Sequence, residues 1–151
     1  MTDADAPVDT KARRRASVLA VDDSVTFRER LRAVLDAGGY EVITASSGEE
    51  ALDRLAARAV DCVLLDMVMP GMSGEETCRR IKANAALRSI PILMLTARDG
   101  REATVLALRA GADDFVTKSD DFEVLEARLR AHIRRRRFEE ENRRIREALL
   151  T

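Results

Sequence analysis

The stretch that decides the fold, residues 62–71, reads CVLLDMVMPG. It begins with a short apolar run, continues through an aspartate and ends in a Pro-Gly dipeptide that indicates a turn. A continuous apolar run of this length is typical of a parallel strand that is buried on both faces. Similar short runs occur at residues 18–21, 41–45, 92–95 and 115–117, so the sequence predicts five such strands.

Helical patterns follow each of the five runs. Glycines mark helix ends, and a serine followed three residues later by a glutamate predicts a capped helix start. These marker residues are Gly38 and Gly39, the pairs Ser47/Glu50 and Ser73/Glu76, Gly111, and Asp120 or Asp121 at the start of the last helix. Alternating strands and helices predict one α/β domain whose parallel sheet is covered on both faces and joined by right-handed crossovers.

The composition narrows the class of protein. The chain has 151 residues, which suits one ordinary domain, and its 46% hydrophobic content excludes global disorder. The formal net charge is −1, so no overall field attracts nucleic acid or an anionic membrane. The chain shows neither a secretion signal nor an apolar run long enough to span a membrane, and Cys62 and Cys78 lie among apolar neighbours. We therefore expect a cytoplasmic protein with buried, reduced cysteines and no membrane insertion.

Polar residues stand at the carboxyl ends of four of the five predicted strands. They are Asp22, Asp23, Asp66, Thr96 and Lys118. Since these strand ends form the binding edge of an open parallel sheet, the five side chains should converge. Three crowded carboxylates repel one another unless a cation joins them, and a small set of oxygen ligands selects Mg²⁺. Carboxylate, lysine and Mg²⁺ together indicate phosphoryl transfer, in which a carboxylate can act as the nucleophile.

Taken in order, the motifs of this chain resemble the receiver domain of bacterial two-component response regulators. The matching motifs are Asp22 and Asp23, residues 66–71 with Gly74, Thr96 with Ala97, and Gly111 and Ala112 leading through Phe115 to Lys118. The resemblance covers about residues 17–135. It implies a flavodoxin-like doubly wound sheet of order 2-1-3-4-5, the order of flavodoxin and of the chemotaxis receiver. Residues 1–16 are then a flexible leader, and residues 136–151 extend the last helix.

The resemblance also implies a role for each residue of the site. Asp66 is the phosphoacceptor, and the backbone carbonyl of Val68 completes the Mg²⁺ site with the three aspartates. The phosphoryl-binding residues are Thr96, Ala97 and Lys118, and the switch residues are Thr96 and Phe115. Such a domain takes its phosphoryl group from a histidine kinase or phosphotransfer protein. It then changes the surface of its fourth helix, fifth strand and fifth helix, as a signalling switch and not as a turnover enzyme.

Two departures from the family pattern bear on the site. Ser119 follows Lys118 where the family usually has a proline in a cis peptide, so the peptide geometry and the placement of Lys118 are open. Val68 and Arg98 occupy the two flanking positions that tune dephosphorylation in the family. Neither offers a carboxylate or amide to orient water, so we expect a long-lived phosphorylated state.

The last helix is longer than a receiver needs. It is predicted from Asp121 to Leu149, and only its first half carries apolar residues that can pack on the sheet. Beyond them, Phe138, Asn142, Ile145 and Leu149 repeat at spacings of four, three and four, a coiled-coil pattern. A homodimer seam, a solvent-exposed helix that frays and a linker to a further domain all remain open.

Parts of the sequence also suggest other functions or simpler roles. An aspartate-nucleophile phosphatase of haloacid-dehalogenase type would want a second aspartate where Val68 stands. A basic-helix DNA-binding protein would use residues 134–137, but Glu139 follows closely, so we do not expect direct nucleic-acid binding. Solvated loop acids are the alternative interpretation of Asp22, Asp23, Asp61, Asp113 and Asp114, although the ordered set of five site residues argues against it for the first two. His132 is interpreted as a surface or lightly packed histidine.

Overall fold

The computed structural model describes residues 15–97 and 101–150 and shows five strands that alternate with five helices. The strands are β1 Ser17–Val21, β2 Glu41–Ala45, β3 Cys62–Asp66, β4 Ile92–Thr96 and β5 Asp114–Thr117. The helices are α1 Val25–Ala37, α2 Gly48–Ala57, α3 Gly74–Ala83, α4 Arg101–Arg109 and α5 Phe122–Leu150. Each predicted strand is present, and its bounds differ from the prediction by at most one residue at an end.

All five strands are parallel and lie in the order β2-β1-β3-β4-β5. The predicted flavodoxin-like fold is therefore confirmed. The register pairs Asp66 with Leu95 and Thr96 with Thr117, so the carboxyl ends of β3, β4 and β5 finish side by side. This alignment forms the edge on which the site is built.

Apolar side chains project from both faces of the sheet, since successive strand residues point to opposite sides. On one face, residues such as Leu64 and Leu95 pack with Leu31 of α1 and Leu129 of α5. On the other face, residues such as Leu65 and Met94 pack with α2, α3 and α4. Covering both faces explains why the strands read as continuous apolar runs.

The predicted helix starts are confirmed at α2 and α3. The hydroxyl of Ser47 accepts from the N–H of Glu50, and that of Ser73 accepts from the N–H of Glu76, both at 3.1 Å. The reciprocal half of the first box is shifted by one residue, because the Glu50 carboxylate accepts from Ser46. Ser24, which the sequence analysis did not single out, caps α1 by accepting from the N–H of Phe27.

Three aspartates are not the solvated loop acids of the simpler interpretation. Asp61 accepts from the N–H of Ser17 at 2.8 Å, and Asp113 accepts from the N–H of Ile92 at 2.8 Å. Asp114 accepts from Arg128 and lies 2.9 Å from His132 Nε2. The solvated interpretation is wrong for these residues, because each one joins the sheet to a neighbouring element. His132 is correspondingly held in place, with 12% of its side chain exposed.

The two ends of the chain differ in how far the structure describes them. Residues 1–14 of the predicted leader lie outside the described residues. Arg15 donates to the carbonyls of Gly39 and Tyr40, so contact with the domain begins before β1. At the other end α5 contains 29 residues, about 43 Å at ~1.5 Å per residue. Within residues 15–97 and 101–150, no helix has the length and apolar character needed to cross a membrane.

Candidate functional site

Three aspartates meet at the carboxyl edge of the sheet. Asp22 follows β1 directly, Asp23 comes next, and Asp66 is the last residue of β3. One carboxylate oxygen from each lies within 4.8 Å of the other two. Asp22 and Asp66 are buried, with 0% and 4% of their surface exposed, whereas Asp23 is exposed to solvent. The cluster therefore has two fixed carboxylates below one that faces the solvent.

The orientation of Asp22 is set by backbone contacts on both sides. Its N–H donates to the carbonyl of Ala45 at 3.1 Å, and its Oδ1 accepts from the N–H of Ser24 at 2.8 Å. Lys118 Nζ lies 2.7 Å from Asp22 Oδ2. This oxygen is nevertheless buried without a properly angled hydrogen bond from the described residues, so it keeps free acceptor capacity.

Asp66 shares the lysine with Asp22. Its Oδ2 lies 3.4 Å from Lys118 Nζ, and its Oδ1 accepts from the N–H of Val68 at 3.3 Å. Burial and the neighbouring Asp22 carboxylate raise the pKa of Asp66 to about 6, although the Lys118 ammonium opposes the shift. Burial and the Asp22 carboxylate thus disfavour the charged form of Asp66 more than the Lys118 ammonium favours it.

Lys118 reaches the site without the proline that usually follows it in receivers. All peptide bonds among the described residues are trans, including Lys118–Ser119. The N–H of Lys118 donates to the carbonyl of Thr96 at 2.7 Å, and the N–H of Thr117 donates to Asp120 at 3.4 Å. Burial lowers the pKa of Lys118, but its contacts with Asp22 and Asp66 outweigh that effect and hold the pKa above its usual range.

An aromatic pair that the sequence analysis missed supports the lysine. Lys118 Nζ lies 4.6 Å from the centroid of the Phe27 ring. That ring stacks on Phe122, the first residue of α5, with 6.2 Å between centroids. Arg30 covers the Phe122 ring at 5.2 Å. The sequence carries no distinct signal for this role, because Phe27 and Leu31 are spaced like the apolar stripe of an ordinary packed helix.

The remaining candidate residues lie on β4 and β5 or in the loops that follow β3 and β4. Thr96 is buried at the end of β4, and Ala97 follows it in an exposed position. Phe115 is half-buried and packs against the core on the α2–α4 face. Val68 is 76% exposed beside Asp66. Arg98, the second residue expected to tune dephosphorylation, lies outside the described residues.

The site provides the donors that Mg²⁺ prefers. Carboxylate oxygens converge from two strands, and the buried Asp22 Oδ2 has acceptor capacity that no described residue uses in a hydrogen bond. Hard oxygen ligands in a small, partly open cluster fit Mg²⁺ better than zinc or a caged Ca²⁺. The residues present therefore fit the ion that the sequence predicted.

The loop after β3 brings the first residue of α3 against the backbone of Asp66. The N–H of Gly74 donates to the carbonyl of Met67 at 3.0 Å, and any Cβ at position 74 would overlap the carbonyl oxygen of Asp66. Gly71 adopts a φ of 74°, a left-handed conformation that glycine tolerates. The close approach to Asp66 therefore requires glycine at position 74, and the backbone conformation favours glycine at position 71.

Known proteins are similar to this chain in sequence. Over 118 residues the chain is 45% identical to the response regulator MprA of Mycolicibacterium vanbaalenii, covering 78% of this chain and 50% of that protein. It is 43% identical over 124 residues to the protein of the same name from Mycobacterium avium, covering 82% and 54%. The chain thus spans about half the length of the curated relatives it matches.

Solved structures agree with the sequence relatives. A putative response regulator from Chloroflexus aurantiacus superimposes with a TM-score of 0.77 at 35% identity, covering 80% of this chain and 98% of that one. The chemotaxis protein CheY4 of Vibrio cholerae gives 0.74 at 34% identity, covering 78% and 98%. The family described as the response regulator receiver domain matches residues 18–130. With its parallel sheet and acidic carboxyl edge, the chain belongs to the response regulator receiver family.

Proposed function

We propose that this receiver takes a phosphoryl group onto Asp66 from the phosphohistidine of a histidine kinase or phosphotransfer protein. The observation that supports this most directly is the convergence of Asp22, Asp23, Asp66 and Lys118 on one small volume. Asp22, Asp23 and Asp66, together with the Val68 carbonyl, hold Mg²⁺ in this proposal. When bound, Mg²⁺ would supply positive charge that offsets the phosphoryl oxygens and the repulsion among the carboxylates.

The residues of the chain have distinct parts in the reaction. A carboxylate oxygen of Asp66 attacks phosphorus, the new O–P bond forms, and the N–P bond to the donor histidine breaks. The leaving imidazole nitrogen takes a proton from solvent. A pKa of about 6 leaves the Asp66 carboxylate ionised near neutral pH, which the attack requires. Lys118 neutralises phosphoryl charge as a point cation.

The two proposed switch residues belong to the opposite face of the sheet from the buried carboxylates. By strand alternation, Thr96 and Phe115 belong to the face that carries α4, whereas Asp22 and Asp66 belong to the α1 and α5 face. Thr96 is thus placed to connect the phosphoryl group with α4, and the N–H of Ala97 adds a donor. The output surface is that of α4, β5 and α5, where Leu106 and Leu108 are exposed.

We expect slow dephosphorylation because of the two residues that flank the site, Val68 and Arg98. Val68 exposes 76% of its surface beside Asp66 and has no group that orients an attacking water. Together with Arg98 it gives a long-lived phosphorylated state. A Val68→Asn, Arg98→Glu double variant should lose its phosphoryl group faster than the wild type, as followed by intact mass. Equal rates would contradict this role.

The other functions that the sequence left open have weaker support. This chain lacks the second aspartate that a haloacid-dehalogenase-type phosphatase needs, because Val68 occupies that position. In the basic segment of α5, Arg136 and Arg137 lie within 4.0 Å of Asp61, and Arg135 contacts His132. These contacts engage three of the four arginines in the segment that a DNA-binding helix would use. The proposed protein partners are a phosphodonor and a second copy of this chain that associates through α5.

Incubation with a small acyl phosphate tests the proposed reaction. In the presence of Mg²⁺ the intact mass should rise by one phosphoryl group, and without Mg²⁺ the rise should be much slower. Asp66→Ala should abolish the gain, whereas Asp53→Ala, which removes an exposed carboxylate on α2, should not change it. Phosphoryl uptake that persists in Asp66→Ala would refute Asp66 as the acceptor.

A further inference from the structure

Helix α5 is fixed to the receiver body over its first half. Leu125, Leu129 and Ile133 are buried against the sheet. One turn further on, Arg136 Nη1 donates to the carbonyl of Val60 at 3.1 Å. Only 17% of the Arg136 side chain is exposed, and both Arg136 and Arg137 lie within 4.0 Å of Asp61, so these two arginines anchor the helix one turn beyond Ile133. Residues 138–150 continue the same helix beyond that anchor.

An apolar stripe faces away from the receiver body. We call Phe138, Asn142, Ile145 and Leu149 the α5 seam. Its apolar members are exposed to 66%, 51% and 82%, in chain order. At 3.6 residues per turn, Asn142 stands about half a turn around the helix from Ile133, which faces the body. The body therefore leaves the seam open along its length, and the helix of a second copy can lie against it.

We propose that two copies of this chain pair through the α5 seam as a parallel, in-register coiled coil. The spacing gives Phe138 and Ile145 the d positions and Asn142 and Leu149 the a positions. This assignment rests on the proposed self-association and adds its direction and register. Both follow from the residues that flank the seam.

The flanking charges are complementary in the parallel arrangement. Position g of one helix then contacts position e five residues later in the other helix. Arg134 meets Glu139 of the second copy, and Glu141 meets Arg146 of the second copy. Symmetry doubles each contact, so four pairs of opposite charge border the seam. All four residues are exposed and free to turn toward a partner helix.

The polar member of the seam points to the same arrangement. In a parallel, in-register pair, Asn142 faces Asn142 of the second copy, and the two amides can hydrogen-bond. A single asparagine at an a position specifies register and oligomeric state, at some cost in stability. An antiparallel pair centred on this seam would instead bring Asn142 against Ile145. The amide would then lose its partner within the apolar stripe.

Cysteine cross-linking tests whether the two α5 helices run parallel or antiparallel. The two native cysteines, Cys62 and Cys78, are fully buried, so an introduced thiol on α5 reacts alone. In the full chain under oxidised glutathione, Leu149→Cys should cross-link to itself, and Phe138→Cys should also cross-link to itself. Glu147→Cys, an exposed position off the seam, sets the background. Cross-linking only in a mixture of the two seam variants would show an antiparallel pair and overturn the parallel assignment. Cross-linking no higher than that of Glu147→Cys, in each seam variant and in their mixture, would refute pairing through the α5 seam.

Charge reversal provides a second, independent measurement by sedimentation equilibrium at low salt. Glu141→Arg should weaken dimerisation roughly tenfold, because two attractions become repulsions. Adding Arg146→Glu should restore the affinity, and Arg144→Glu alone, off the seam, should leave it near the wild-type value. Circular dichroism checks that α5 stays helical. An unchanged affinity in Glu141→Arg would refute the parallel register. These measurements use unphosphorylated protein without Mg²⁺, so their failure leaves the phosphoacceptor role of Asp66 unaffected.

Discussion

Three contacts from separate parts of the fold set the position of the Lys118 ammonium. Its ammonium lies 2.7 Å from Asp22 Oδ2, 3.4 Å from Asp66 Oδ2 and 4.6 Å from the centroid of the Phe27 ring. The aromatic face attracts the cation without forming a hydrogen bond, and partial burial strengthens that attraction. Phe27 is therefore a positioning residue, since it limits where the ammonium can sit beside the carboxylates.

Replacing Phe27 separates this positioning from simple packing. Phe27→Leu keeps apolar volume but removes the ring, so phosphorylation of Asp66 by a small acyl phosphate should slow by roughly threefold to tenfold. Phe27→Tyr, which keeps the ring face, should retain the wild-type rate. Phe138→Leu, on the exposed part of α5, is the matched control. The rate is followed by intact mass at several Mg²⁺ concentrations, and a wild-type rate in Phe27→Leu would refute the role.

At the scale of elements, α2 and α3 approach each other closely because Gly48 has no side chain. A Cβ at position 48 would overlap the hydroxyl oxygen of Thr77, and Met72 Sδ would lie only 3.1 Å away. Thr77 is fully buried and its hydroxyl donates to the carbonyl of Ser73 at 2.8 Å, so it has little freedom to move. The start of α2 is thus matched to the first turn of α3.

Gly48→Ala should therefore lower the free energy of unfolding by about 1–3 kcal/mol, the usual cost of overpacking. In a Thr77→Ala background the loss should shrink, because the overlapping atom is absent. Gly38→Ala is the control, since its nearest atom belongs to the Glu126 side chain at the surface. Urea unfolding of the four variants measures these values. An equal loss with and without Thr77 would show that the close approach does not limit this position.

Strand β5 and helix α5 are joined by a charged cluster around Asp114. The Asp114 carboxylate contacts Arg128 and His132 of α5, both at 2.9 Å. Burial alone would raise the pKa of Asp114, but hydrogen bonds from His132 and from the N–H of Phe115, together with Arg128, hold the pKa below its usual value. The ionised form is thus favoured in the folded state.

The pH dependence of stability tests this cluster. A carboxyl group whose pKa is lowered by folding stabilises the protein above its unfolded pKa, near 3.8, and that contribution is lost as the pH falls through the folded value. The wild type should therefore exceed Asp114→Asn in unfolding free energy at pH 6, and the difference should vanish under strong acid. Asp53→Asn should show no such pH-dependent difference. A difference between wild type and Asp114→Asn that stays constant from pH 6 into strong acid would contradict the assignment.

At the scale of the whole molecule, charge is divided between an acidic edge and a basic helix. Residues 17–121 carry a net charge of −5 and residues 122–151 a net charge of +3. The acidic edge concentrates its charge in Asp22, Asp23 and Asp66, with one lysine to offset it. Occupation of this site by Mg²⁺ should consequently stabilise the entire fold.

Thermal unfolding measures that stabilisation. Free Mg²⁺ at ten times its dissociation constant should add about 1.4 kcal/mol to the free energy of unfolding, since the ion binds the folded state. Chelation with EDTA should reverse the effect, Asp23→Asn should weaken it and Asp53→Asn should leave it intact. A Mg²⁺ response that is unchanged in a combined Asp22→Asn, Asp23→Asn variant would place the ion elsewhere.

The features that the sequence determined by itself are those set by local patterns. Continuous apolar runs gave the strands, Ser47 and Ser73 gave two helix starts, and the ordered polar residues gave the carboxylates and lysine of the site. Such signals are readable because hydrophobic periodicity and capping act over a few neighbouring residues. The strand order came from the family resemblance, and the structure agrees with it.

Tertiary structure alone decided the contacts between residues distant in the chain. Phe27 meets Lys118, Asp61 accepts from Ser17 and contacts Arg136, and Asp114 meets His132. It also showed that the Lys118–Ser119 peptide is trans and that the α5 seam faces away from the body. The physical reason is that ion pairs and ring contacts depend on which surfaces the packed helices bring together. A charged or aromatic residue in the sequence has many potential partners, and only folding selects among them.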